Sequence, residues 1–152
     1  MKLSNNFSLR EMCKSGTAIR NGIDNKPSID VIRSLRGLCK HVLQPVREHF
    51  GKPVTVSSGY RAIALNRFIG GSDTSDHCGG FAADIEIPGI SNKALAEWIR
   101  DNCKYSQLIL EFYVDGITNS GWVHVSYNPS NLKEEYLHAE RVDGKVRYTR
   151  LN

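Results

Sequence analysis

The pattern of apolar and polar positions divides the chain into short strands and a few amphipathic helices. The most regular stretch starts at Ser28. Apolar residues then recur at Ile29, Ile32, Leu35, Leu38, Cys39, Val42, Leu43, Val46 and Phe50, in steps of three and four that define one helical face. Ser28 is a favourable N-cap, and Asp30 suits the positive end of the helix dipole. Pro45 falls inside the pattern and predicts a kink or break, because it lacks an N–H and its ring crowds the preceding turn. A shorter helix is expected over 62–69, and another after Ser91 with Ala94, Leu95, Trp98 and Ile99 facing inward. Residues 6–26 are only loosely periodic and predict one short helix and an ordered loop.

Between the helices lie β-branched or alternating runs that read as strands. They cover 54–58, the Ala-Ala-Asp-Ile-Glu-Ile run at 82–87, 107–113 and 122–127. The last elements, 136–142 and 145–149, flank Asp143-Gly144 and predict a hairpin. No repeat or linker interrupts this order. A single α+β domain over 1–152 is expected, with its motifs within 57–127 and the hairpin at 136–149.

Composition narrows this only a little. With 152 residues, 40% hydrophobic and 24% charged, the chain suits one globular domain with its own core. No apolar run approaches the roughly 20 residues of a membrane-spanning helix. The N-terminal Met-Lys-Leu-Ser-Asn-Asn-Phe lacks the apolar stretch of a secretory signal. Synthesis in a bacterial cytoplasm without export is therefore the expectation. The net charge of +4 suits an anionic polymer, either nucleic acid or cell wall, but the basic residues are scattered and do not favour nucleic acid. Four cysteines, Cys13, Cys39, Cys78 and Cys103, form no Cys-x-x-Cys pair. They are expected as free thiols, with Cys39 buried.

Candidate chemistry gathers at 75–84, Ser-Asp-His-Cys-Gly-Gly-Phe-Ala-Ala-Asp. Imidazole and carboxylate are both good zinc ligands. Gly79 and Gly80 let the chain turn between His77 and Asp84. A catalytic zinc usually has three protein ligands and an open position, and the third is read as His124. On a strand, Trp122, His124 and Ser126 share one face while Val123 and Val125 take the other. Cys78 is a rival ligand; His41 and His49, on the long helix, are weaker ones. Zinc chemistry also needs a base. If strands 107–113 and 122–127 form a hairpin with Tyr113 opposite Trp122, Glu111 falls directly opposite His124. Glu86 and Asp115 are weaker alternatives. Arg61, in Ser-Ser-Gly-Tyr-Arg at 57–61, offers a fork for a carboxylate or an oxyanion. Ser75 can hydrogen-bond the substrate, and Trp122 joins the substrate-binding set.

Ser-x-His-x-x-Gly-x-Ala-x-Asp at 75–84, preceded by Ser-Ser-Gly-Tyr-Arg and followed by Trp-Val-His at 122–124, resembles the zinc D-Ala-D-Ala carboxypeptidase family over Phe7 to Tyr127. The resemblance implies a small, mostly antiparallel sheet with helices packed on one side, a fold shared with lysostaphin-type peptidases and the hedgehog signalling domain. It implies one zinc per chain held by His77, Asp84 and His124, with Arg61 and Ser75 at the substrate. Many members place the catalytic acid three residues before the last histidine, where this chain has Gly121. The base must come from elsewhere, which favours Glu111. The stretches around Glu111 and His124 look like the phage and prophage branch of the family. That implies a monomeric endolysin or wall-trimming hydrolase acting on peptidoglycan stem peptides. Such an enzyme would reach the wall through a holin or after lysis. The bond could be D-Ala-D-Ala, the cross-link or L-Ala-D-Glu, with specificity lying in loops 114–121 and 128–135. The rival reading is a non-catalytic zinc or wall-binding module.

Overall fold

The computed structural model describes residues 1–152. The chain opens with a small antiparallel hairpin, β1 (Lys2–Ser4) and β2 (Phe7–Ser8), followed by two short helices, α1 (Leu9–Cys13) and α2 (Gly16–Arg20). One short helix and a loop were expected here. The second helix forms because Ser8 and Ser15 each cap a turn, accepting from the N–H groups of Glu11 and Ala18. Turns this short carry too few apolar positions to show a period.

The long amphipathic stretch is α3 (Ile29–Leu38), a π-helical turn over Cys39–Leu43, and α4 (Gln44–Phe50). Ser28 caps it, accepting from the Val31 N–H at 3.2 Å. The Gln44 N–H donates to the carbonyl of Cys39, five residues back. The disturbance expected at Pro45 is thus absorbed by one widened turn just before it, and the helix continues. Val31, Leu35, Leu38, Cys39, Val42, Leu43 and Val46 are buried. Ile29, counted to that face by spacing, is 77% exposed.

Two further helices follow, α5 (Ile63–Phe68) and α6 (Asn92–Asn102). Ser91 caps α6, and Leu95, Ala96 and Ile99 form its buried stripe. Ala94 points outward instead, and Trp98 is half-buried against the His49 ring.

Strands β3 (Thr55–Ser58), β4 (Ala82–Glu86), β5 (Gln107–Glu111), β6 (Trp122–Ser126), β7 (Glu135–Val142) and β8 (Lys145–Arg150) form one sheet in the order β3-β4-β6-β5-β7-β8. All neighbours are antiparallel except β5 and β7, which run parallel. The β7–β8 turn has Asp143 at φ 51° and Gly144 at φ 76°, as an Asp-Gly hairpin demands. One face of the sheet carries Ala83, Ile85, Leu108, Leu110, Val123 and Val125 into the core shared with α3 and α6. The other face carries Asp84, Ile109, Glu111, Trp122 and His124. No helix is long and apolar enough to cross a membrane.

Asn92 ties α6 to the loop that precedes the functional face. It is 1% exposed, and its amide donates to the carbonyls of Ser120 and Gly121 at 2.9 and 3.1 Å. Asn92→Ala strands both carbonyls and is expected to cost about 1–3 kcal/mol. At roughly 2–4 °C per kcal/mol for a chain of this size, calorimetry checks this as a lowered Tm.

Candidate metal centre

His77 is placed by backbone constraints on both sides. It lies in a 3₁₀ turn, Asp76–Gly79, capped by Ser75, whose Oγ accepts from the His77 N–H. The turn ends at Gly80 with φ 77°, where a β-carbon would press within 2.8 Å of the Val31 carbonyl oxygen on α3. The His77 carbonyl accepts from the Arg61 N–H at 3.1 Å, binding the turn to the segment after β3. The His77 Nδ1 lies 2.7 Å from the Gly59 carbonyl oxygen. A carbonyl can only accept, so Nδ1 carries a proton, and Nε2 is the nitrogen turned toward Asp84. Gly59 itself abuts the Met12 carbonyl so closely that any side chain there would collide.

Asp84 and His124 are direct partners on β4 and β6. His124 Nδ1 lies 3.1 Å from Asp84 Oδ1, and His77 Nε2 lies 3.4 Å from the same oxygen. All three donor atoms fall within 4.8 Å of one another. A tetrahedral zinc with bonds of 2.0–2.1 Å needs donor separations of about 3.3–3.5 Å; the His77–Asp84 edge fits, and the His124–Asp84 edge is a few tenths of an ångström short. Burial pushes the Asp84 carboxyl up, but hydrogen bonding and charge from His124 and His77 outweigh it. The net result holds the carboxyl far below the usual range, so it is an anion ready to ligate. The carbonyl-held His77 is the orientation that metal-ligating histidines require. The three residues therefore fit a zinc ion, as expected for His77, Asp84 and His124. Cys78, His41 and His49 stand apart from this cluster. His41 stacks on Tyr127, His49 on Trp98, and all four cysteines are free.

Glu111 reaches the same place by a different register from the expected one. Trp122, not His124, is its partner, and His124 pairs with Ile109. The hairpin is thus shifted by two residues, because Phe112 leaves the ladder with φ 54° and bonds instead to the Ala139 carbonyl. A two-residue shift preserves the face. Glu111 stays on the side of His124, as a diagonal rather than a direct neighbour. Burial raises its carboxyl above the ordinary value; His124 pulls it down and Asp84 pushes it up. Such a group is better placed to take and return a proton near neutrality.

Gly121 shows why the acid is absent from the position three before His124. Its φ is +64°, and a β-carbon there would collide with the Glu111 carbonyl oxygen. Any side chain at 121 would displace the very strand that carries Glu111. Gly121→Ala is accordingly expected to lower stability by about 1–3 kcal/mol, read as a lowered Tm in thermal unfolding.

The three candidate metal donors and Glu111 line one cleft of about 560 Å³ together with Arg61, Ser75 and Trp122. The Arg61 Nε is buried with no hydrogen-bond partner. The rest of the Arg61 guanidinium lines the cleft, where its planar fork can meet an acceptor brought by a ligand. Of the alternative bases, Glu86 interacts with Asn92, and Asp115 lies beside Lys93; neither lines the cleft. Among the residues that also line the cleft, the sequence reading missed Gln107, Lys133 and Tyr148. Gln107 shares the strand alternation of Glu111 and could have been found. Lys133 and Tyr148 arrive through the parallel pairing of β7 on β5, which no local pattern announces.

Over 61 residues, covering 40% of this chain, the sequence is 38% identical to a zinc D-Ala-D-Ala carboxypeptidase of Streptomyces albus G. The chain spans only about a quarter (24%) of that protein's length. The family model of peptidase M15 matches residues 5–126, which include His77, Asp84, Glu111 and His124. The chain therefore belongs to the peptidase M15 family.

Proposed function

We propose that this protein is a zinc-dependent peptidase that hydrolyses a peptide bond of peptidoglycan stem peptides or cross-links, of the D-Ala-D-Ala carboxypeptidase or endopeptidase type. The observation that carries the reading is the convergence of three metal donors, a buried carboxylate and an unpartnered guanidinium nitrogen on one cleft. A zinc ion held by His77, Asp84 and His124 supplies Lewis acidity toward the scissile carbonyl and lowers the pKa of water toward roughly 7.

The chain's own residues do the rest. Arg61 offers its planar fork to a substrate carboxylate or to the developing oxyanion. Ser75 accepts from the His77 N–H, which leaves its hydroxyl proton free for a substrate acceptor. The Trp122 ring, in the row of Glu111, gives the peptide an apolar surface. Glu111 takes the proton of the attacking water at a carboxylate oxygen. It then delivers that proton to the leaving amine nitrogen, so the base of the first step is the acid of the second. A non-catalytic module has no use for such a carboxylate.

In this reading the protein is a lytic or wall-trimming enzyme that works as a monomer and meets the wall after release from the cell. Incubation with a synthetic stem pentapeptide carrying both L-Ala-D-Glu and D-Ala-D-Ala bonds tests it, with fragments identified by mass spectrometry. Loss of a single D-Ala is expected from the zinc-loaded protein. An intact pentapeptide, together with intact purified cross-linked peptidoglycan, would overturn the proposal.

A further inference from the structure

The cleft has a wall that none of these roles uses. Part of it comes from the C-terminal hairpin, beyond the residues 5–126 that match the family. The sheet register sets Trp122, Glu111, Ala139 and Tyr148 in one row, from β6 through β5 and β7 to β8. Directly paired residues point to the same side of a sheet, so Tyr148 stands on the face of Glu111 and His124. Between Glu111 and Tyr148 there is only the methyl group of Ala139, which is fully buried. With strands about 4.8 Å apart, the backbones of Glu111 and Tyr148 are about 10 Å apart. Both side chains line the same cleft.

The ring is not there to hold the hairpin together. Tyr148 is 56% exposed, and every residue of β8 is exposed. A large aromatic side chain that is not needed for the core, facing a polar cleft, is a contact waiting for a ligand. Burial and then the charge of Glu111 push the phenol up from its ordinary value, so at neutral pH it keeps its proton. It can therefore donate a hydrogen bond. Arg61 follows β3 at one edge of the sheet and Tyr148 lies on β8 at the other, with the metal donors and Glu111 between.

We propose that Tyr148 is a substrate-binding residue, whose hydroxyl donates a hydrogen bond to an acceptor oxygen of the peptide on the side of Glu111 away from Arg61. The inference rests on the peptidase reading above and assigns the C-terminal hairpin as the second wall of its substrate site. Arg61 and Tyr148 then bracket the peptide across the strands, one fixing an anionic group and the other the chain beyond the scissile bond.

The test is calorimetric binding of the synthetic stem pentapeptide to zinc-loaded Glu111→Gln protein, with and without Tyr148→Phe or Tyr148→Ala. KM and kcat are measured in parallel for the same tyrosine changes with Glu111 intact. Loss of the hydroxyl should raise Kd and KM about five- to ten-fold, with kcat within two-fold, and with zinc content and Tm unchanged. Tyr148→Ala should weaken binding further. Kd within two-fold of the parent for both changes would overturn the assignment, as would a loss that follows a lowered Tm or zinc content. If the parent binds but does not cut, and the tyrosine changes still weaken binding, the tyrosine assignment stands and the catalytic reading falls. A pentapeptide that is neither bound nor cut overturns both.

Discussion

Glu111→Gln is expected to lower peptide hydrolysis by roughly 10²–10⁴-fold while the protein keeps its zinc. The substitution preserves shape and removes only the ability to accept a proton. Glu111 is not among the three metal donors, so its loss leaves the donor set of His77, Asp84 and His124 whole. Burial already disfavours the charged form of Glu111, and a neutral amide of the same shape removes a like charge near Asp84. Zinc content by elemental analysis and turnover on the stem pentapeptide separate the two effects. Full hydrolysis by the variant would remove Glu111 from the mechanism. Loss of zinc would make it a ligand.

His77→Ala is expected to release the metal. It deletes the Nε2 donor and also the Nδ1–H that meets the Gly59 carbonyl. Removal of a hydrogen-bond partner of a ligand typically costs 10–100-fold in metal affinity, and removal of the ligand itself should exceed about 100-fold. His77 is only 2% exposed, so the variant also strands a carbonyl and leaves a hole. Part of its loss could then be folding. Asp84→Asn separates the two, because it nearly conserves shape while replacing the shared anion by a weak neutral donor. Both variants should bind far less zinc and hydrolyse nothing measurable, with Asp84→Asn still cooperatively folded. Full zinc occupancy in either would remove that residue from the centre.

Much of this site was legible because its signals are local. The 75–84 stretch packs a turn, two glycines and two ligands into ten residues, and the family resemblance read from it is borne out. Strand alternation put His124 on the polar face, and an assumed hairpin register, Tyr113 opposite Trp122, put Glu111 on the same side. Alternation has a period of two, however, and so could not distinguish the true register from one shifted by two residues. The shift is set at the hairpin end by the positive φ of Phe112 and Gly121, which is a property of how the loop packs. The same limit explains the helical misreadings. Ile29 and Ala94 sit in the first turns of their helices, where spacing counts a position that the packing leaves in solvent. Pro45 predicted a disturbance, but only the packing of the whole helix against the sheet decides that a π-helical turn takes it up. Tyr148 was beyond reach for the plainest reason. Its partner strand pairs in parallel with β5, and a parallel pairing leaves no hairpin signature in the sequence.

The central claim is that one zinc ion, bound at this cleft, makes the chain cut peptidoglycan. It is tested most directly by counting new amine termini released from purified peptidoglycan by the metal-stripped protein, before and after one equivalent of zinc is restored. The account predicts no release without the metal, release in step with zinc bound up to one ion per chain, and no recovery on adding zinc to Asp84→Asn. Equal release with and without bound zinc, or none with the site fully loaded, would contradict it.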